Sequence, residues 1–234
     1  LVVEATSHVA RQTEKTATFG ISGRGETIVL SDPDGALVDA FETGALEPGV
    51  TAGRIEGDAS IARVFFQKAT RGKKNAAEAY TGYGTMPLIS VNSLYHTEAF
   101  HVEIRCADKG AVIRYTTDGS VPTETSQRYT EPIAISKSTV LRAASFTDGK
   151  MPSQVATADY LFVEPHTVPV VCIDWDPADM QRVIRTTTSK GKTEHPATMS
   201  YYEADGKLGL RFPCGIKPKG AGTLVYAQKS LSIN

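Results

Sequence analysis

Cysteine is scarce: Cys106, Cys172 and Cys214 fall in three separate stretches of the 234 residues, too far apart for a disulfide framework. No CxxC pair offers the thiolate spacing of a structural zinc site, so each cysteine is read as a small buried apolar side chain. Long apolar runs are missing as well. None approaches the ~20 residues that a membrane-spanning helix requires, and no membrane span is expected. Charge of one sign is also absent, with 25 Lys and Arg against 26 Asp and Glu and a formal net charge of −1. Without a field over the whole chain, nucleic acid is not an expected partner.

Catalytic signatures are equally thin. The histidines at 8, 96, 101, 166 and 195 are scattered, with no HExxH and no i,i+4 pair, so they are read as isolated loop or surface residues. Gly20-Ile21-Ser22 runs into Gly23-Arg24, and the arginine stands where a nucleophile elbow needs its second glycine. Ser189 to Thr193 imitates the end of a phosphate-binding loop, but Thr186 occupies the position of its first glycine. Arg71, Lys73 and Lys74 lie near Tyr80 and Tyr83, yet three cations without a surrounding basic face supply few phosphate contacts and suit a solvated connector. Asp174 and Asp176 could serve acid/base chemistry, but helix capping accounts for such a pair without a substrate. No catalytic residue, metal ligand or cofactor is assigned to these 234 residues.

What is present is short strands and turns. Asp32-Pro33-Asp34-Gly35 has the residue preferences of a type I turn and separates Ile28–Leu30 from Leu37–Phe41, which predicts a hairpin. A calcium loop would need another oxygen ligand where Leu30 stands. Val168–Ile173 reads as a buried strand. Asp176 then caps a helix that begins at Pro177 and presents Met180, Val183 and Ile184 as its apolar face. Two alternating runs, Ala197–Tyr202 and Leu208–Phe212, flank Asp205-Gly206 and predict a second hairpin.

The stretch from Ala111 to Phe162 is the most complete unit. Val112–Tyr115 and Thr139–Ala143 are β-branched and aromatic-bearing, and Asp118-Gly119, Asp148-Gly149, Pro122, Pro132 and Pro152 punctuate them at turn-like intervals. The order YTTDGSVPT, YTEPIAISKSTVLRAASF and a later Pro-Ser resembles the chitobiase/β-hexosaminidase C-terminal, or fibronectin-type-III-associated, repeat over 87–163. The resemblance implies an Ig-like β-sandwich. Its sugar-related name raises Tyr115, Tyr129 and Tyr160 as stacking platforms for a sugar ring, although strand alternation turns some of these rings inward, where a sandwich core needs them.

Two further resemblances flank it. Phe19, Ser22, Gly25-Glu26, Leu30, Asp32, Asp34-Gly35, Val38-Asp39 and Gly53-Arg54 resemble the second half of a lamin-tail domain. Pro169–Ile173, Asp176–Met180, Pro196-Ala197, Asp205-Gly206, Gly215-Ile216, Gly220 and Gln228-Lys229-Ser230 resemble the N-terminal part of a spore-coat CotH kinase-like domain, with Ala221-Gly222-Thr223 departing from the family's serine. That resemblance implies an atypical protein kinase using ATP with Mg or Mn in a longer parent, whose reactive carboxylates belong to a later lobe. It makes Lys229 a candidate nucleotide-phosphate contact.

The fold class expected is therefore mostly β: Ig-like sandwich units in tandem followed by a partial α+β lobe. The expected division is a partial lamin-tail-like domain at 1–70, a linker at 71–86, the Ig-like repeat at 87–163 and a truncated CotH kinase-like part at 164–234. The expected function is a non-catalytic spacer or interaction region of an exported or cell-surface bacterial protein, spore coat included. Its expected partners are other domains of the same chain, a surface protein or a cell-wall polysaccharide. The alternative is a carbohydrate- or cell-wall-binding module.

Overall fold

The computed structural model describes residues 4–5, 16–47, 49–55, 63–75, 78–91, 94–188 and 193–234. Two compact units divide the chain. One is Leu1–Tyr83 with Asp148–Met151, and the other is Gly84–Thr147 with Pro152–Asn234.

In the first unit, β1 (Glu4–Ala5) pairs in parallel with β2 (Thr16–Ala17). The predicted hairpin follows as β3 (Thr27–Ser31) and β4 (Leu37–Glu42), antiparallel with Ile28 opposite Phe41. Its turn is local chemistry. Asp32 Oδ1 accepts the N–H groups of Asp34 at 3.0 Å and Ala36 at 2.8 Å, and Gly35 adopts φ 87°, a conformation that only glycine takes at little cost. β5 (Thr51–Gly53) pairs with β6 (Val64–Phe66), whose three side chains are all buried. Part of the predicted linker is anchored in this unit: Tyr80 exchanges both backbone hydrogen bonds with Phe65, and Tyr83 packs on the Phe65 ring at 5.1 Å.

The second unit opens with β7 (Leu88–Ile89), β8 (Phe100–Val102), β9 (Ile104–Arg105), β10 (Val112–Thr116), β11 (Gln127–Arg128), β12 (Ile133–Ile135), β13 (Thr139–Phe146) and β14 (Ala156–Tyr160). A four-stranded sheet in the order β11-β10-β13-β14 faces the β8–β12 and β7–β9 pairs. Residues two apart supply one continuous core between them: Ile133 and Ile135, Leu141 and Ala143, Ala156, Ala158 and Tyr160, with Val102, Ile104 and Tyr115. This is the antiparallel sandwich that the strand spacing predicts, in the Ig-like form that the resemblance implies.

The C-terminal sheet of the same unit has the order β15-β16-β17-β18, formed by β15 (Val170–Trp175), β16 (His195–Tyr202), β17 (Leu208–Lys219) and β18 (Ser230–Ile233). The second predicted hairpin is β16–β17, turning at Gly206 with φ 79°. β17 runs on past Phe212 through Pro213 and Pro218. Both prolines are tolerated because each lies where β17 has a neighbour on one side only: Pro213 is opposite Thr198 of β16, and Pro218 opposite Leu231 of β18. Val171 in β15 is half exposed rather than buried, since it points away from the sandwich.

Between β15 and β16 lies α1 (Pro177–Arg185), with Pro177 in its first turn and Asp176 as cap. Of its predicted apolar face, Val183 is buried, Met180 half-buried and Ile184 exposed, so the contact stripe is narrower than the sequence suggests. Asp176 Oδ1 accepts from Ala178 N at 2.9 Å, and Oδ2 from Val121 N at 3.2 Å. Losing both acceptors in Asp176→Ala is expected to cost about 1–2 kcal/mol in urea denaturation, with Asp176→Asn, which keeps one acceptor oxygen, recovering roughly half of it.

Candidate functional site

Strand alternation gives β13 and β14 two faces, and both are buried. The inner face is the aliphatic core. On the outer face lie Arg142, Thr157 and Asp159, only 5%, 4% and 3% exposed. An ordinary sandwich leaves such a face wet. Here the C-terminal sheet covers it, with Cys172, Ser200 and Arg211 aligned in one cross-strand row and Asp174 and Tyr202 projecting on the same side.

The layer is held by charge-assisted hydrogen bonds. Tyr202 donates its hydroxyl to Asp159 Oδ2 at 2.7 Å. Arg211 Nη2 donates to the Tyr202 oxygen at 2.7 Å and lies 3.3 Å from Asp159 Oδ2, while its Nε donates to Ser200 Oγ at 2.8 Å. Arg142 Nη1 donates to the Gly119 carbonyl at 3.0 Å. Tyr202 and Ser200 are wholly buried, so these bonds form where the effective dielectric is low and each is stronger than on a wet surface.

Burial dominates the electrostatics. It raises the Asp174 carboxyl to about 8, with the adjacent Asp159 charge adding to the rise and Arg142 and Arg211 opposing it. Burial likewise pushes the Cys172 thiol up to about 12, raises Tyr202 and Tyr160, and lowers Arg142. Arg142, Thr157 and Asp159 are almost wholly enclosed, so this layer presents little surface to a substrate. Its chemistry is that of a clamp between two sheets. Among the described residues, no group of three or more His, Cys, Asp or Glu is placed to hold a metal ion.

The residues singled out from sequence are dispersed. Tyr160 is fully buried and donates to the Val91 carbonyl at 2.8 Å; Tyr115 is 9% exposed in the same core, and Tyr129 is half-buried against it. A ring enclosed as Tyr160 is has no face to offer a sugar. Lys229 sits just before β18 rather than on a strand and donates to the Leu224 carbonyl of the 3-10 turn Gly222–Val225. Asp176 caps α1 as read, but Asp174 does not: it is a buried strand residue facing Asp159. The cysteines are all free and only partly buried. His195 is not isolated, since its Nδ1 lies 3.0 Å from Asp179 Oδ1, and His96 stacks on Phe100 at 3.9 Å. Of the stretch imitating a phosphate loop, Ser189 to Thr193, residues 189–192 lie outside the described residues, as does His8.

Sequence reasoning missed Asp159, Arg142, Tyr202 and Arg211. The available signal was an acid and an arginine at single positions of otherwise strand-like runs, ATADY and TVLRAASF.

A closed apolar core between antiparallel sheets defines the class of the central part as an Ig-like β-sandwich module. Residues 91–157 match the family described as the chitobiase/beta-hexosaminidase C-terminal domain, a carbohydrate-associated module compatible with a non-catalytic spacer or binding role. No curated protein and no solved structure matches the chain.

Proposed function

We propose that this chain is a non-catalytic spacer and interaction region of an exported or cell-surface bacterial protein, which sets the Ig-like repeat and the lobe that follows it in one fixed arrangement. The carrying observation is the outer face of β13–β14, buried and tied to the C-terminal sheet through Asp159, Tyr202 and Arg211. A repeat that moved freely on a linker would leave that face polar and wet. The lobe is read as the start of a CotH-type atypical kinase domain in a longer parent, a spore-coat protein among the settings this suits. Lys229 is its candidate phosphate contact, and ATP with Mg or Mn its cofactors. The hairpin region is read as part of a lamin-tail-like domain. Its pattern residues Asp39 and Arg54 support this by forming a bidentate pair at 2.9 and 3.0 Å, whose hydrogen bonds hold the Asp39 carboxyl below its ordinary range.

Two assays test the proposal. The 234-residue chain incubated with ATP and Mg or Mn is expected to transfer no phosphate, whereas the full-length parent is expected to phosphorylate a protein substrate. A glycan screen of the same chain is expected to show no retention. Turnover by the chain alone overturns the non-catalytic reading; an inert parent removes the kinase reading. Retention on a polysaccharide transfers the function to the alternative, a carbohydrate- or cell-wall-binding module.

A further inference from the structure

Three acids and two arginines meet where the C-terminal sheet covers the sandwich: Asp159, Asp174 and Asp176 against Arg142 and Arg211. The layer is electrically neutral only if one acid carries a proton. Hydrogen bonds locate it. Asp176 accepts from Ala178 N and Val121 N, and Asp159 Oδ2 accepts from Tyr202 while lying within reach of Arg211. Asp159 Oδ1 and Asp174 Oδ2 are sealed from solvent with no donor among the described residues, and Asp159 is the neighbour whose charge and hydrogen bonding add to burial in raising the Asp174 carboxyl. Two bare carboxylate oxygens would repel strongly there, whereas one proton between them satisfies both.

We propose that Asp159 and Asp174 hold a single shared proton between the repeat and the C-terminal sheet, and that losing it unseats one from the other. The other groups whose charges bear on the pair are Arg142 from β13, Cys172 from β15, Asp176 before α1, Tyr202 from β16 and Arg211 from β17, with Tyr160 of β14 turned to the opposite, core face. Burial holds the tyrosines and the thiol at higher pH than Asp174, so Asp174 titrates before them as the pH rises. The sign follows from proton binding. The seated form keeps the proton and the unseated form releases it, so seating is fully favoured below the ordinary aspartate range, weakens as the pH rises towards about 8, and changes little above.

Amide hydrogen exchange on the whole chain tests this at two bonds that bridge the joint, Leu94 N to Gly206 O at 3.1 Å and Val121 N to Asp176 Oδ2 at 3.2 Å. After correction for intrinsic rates, their opening constants are expected to rise by nearly tenfold per pH unit between about pH 5 and 8. Asp174→Asn places an N–H where the proton lies and is expected to flatten that profile. Wild-type protein is expected to show a carboxylic-acid C=O infrared band at pH 7 that Asp174→Asn lacks. A flat wild-type profile, or no such band, overturns the proposal, and both readouts decide it even if the variant fails to fold.

Discussion

Asp159→Ala is expected to destabilise the second unit by about 3–5 kcal/mol, because it strands partners rather than merely deleting a contact. Asp159 Oδ2 is the acceptor for the Tyr202 hydroxyl at 2.7 Å and faces Arg211 at 3.3 Å, with Tyr202 fully buried and the Arg211 side chain 18% exposed. Removing the carboxylate leaves an arginine and a phenol in a layer without solvent to replace it, and also uncouples Asp174 from its neighbour. The single tryptophan, Trp175, lies in the covering sheet, so its fluorescence during urea denaturation reports the loss directly. Asp205→Ala is the control. Asp205 also pairs with a cation, Lys207 at 2.8 Å, but on the surface, where water takes over the lost interactions and the cost, its turn acceptor for Lys207 N included, should stay within about 1 kcal/mol. Equal effects of the two substitutions would refute the clamp.

Turns and strand faces were legible because their causes are local. Asp32 with Gly35 and Asp205 with Gly206 put an Asx acceptor and a left-handed glycine within five residues, and the backbone at φ 87° and 79° follows from that pairing. Asp176 and Pro177 signal the start of α1 for the same reason. Strict alternation settles which side chains face the core in the same local way: Ile133 and Ile135 sit inward on β12 and Ala134 outward, as period two requires.

The clamp was illegible because its partners are far apart in sequence and because alternation is ambiguous about the second face. Asp159 meets Tyr202 43 positions later and Arg211 52 positions later. In Ala156–Tyr160 the pattern shows which residues enter the sandwich core, but a polar residue on the other face reads as solvated unless something covers it. Asp174 was misread for a related reason. Its neighbour at 176 is a cap, and a capping explanation for one acid was extended to both, although Asp174 still lies within β15, on the strand's covered face, and Asp176 lies beyond the strand's end.

Tyr160 separates packing from ligand binding most sharply. It is 0% exposed, meets Phe100 edge-on at 5.1 Å and His96 at 5.5 Å, and ties the Val91 carbonyl through its hydroxyl at 2.8 Å. Tyr160→Ala is expected to cost about 3–5 kcal/mol, since the enclosed strand leaves the cavity little room to collapse. For a unit of this size the loss should appear as a fall of roughly 6–20 °C in Tm by calorimetry. Tyr160→Phe keeps the ring and removes only the hydroxyl, leaving the Val91 carbonyl short of a donor for about 1–2 kcal/mol. Were the ring a sugar platform, the pattern would reverse: alanine would be tolerated by the fold, and the loss would fall on polysaccharide retention. A stable, well-folded Tyr160→Ala protein would therefore remove the ring from the core and return it to the ligand-binding reading.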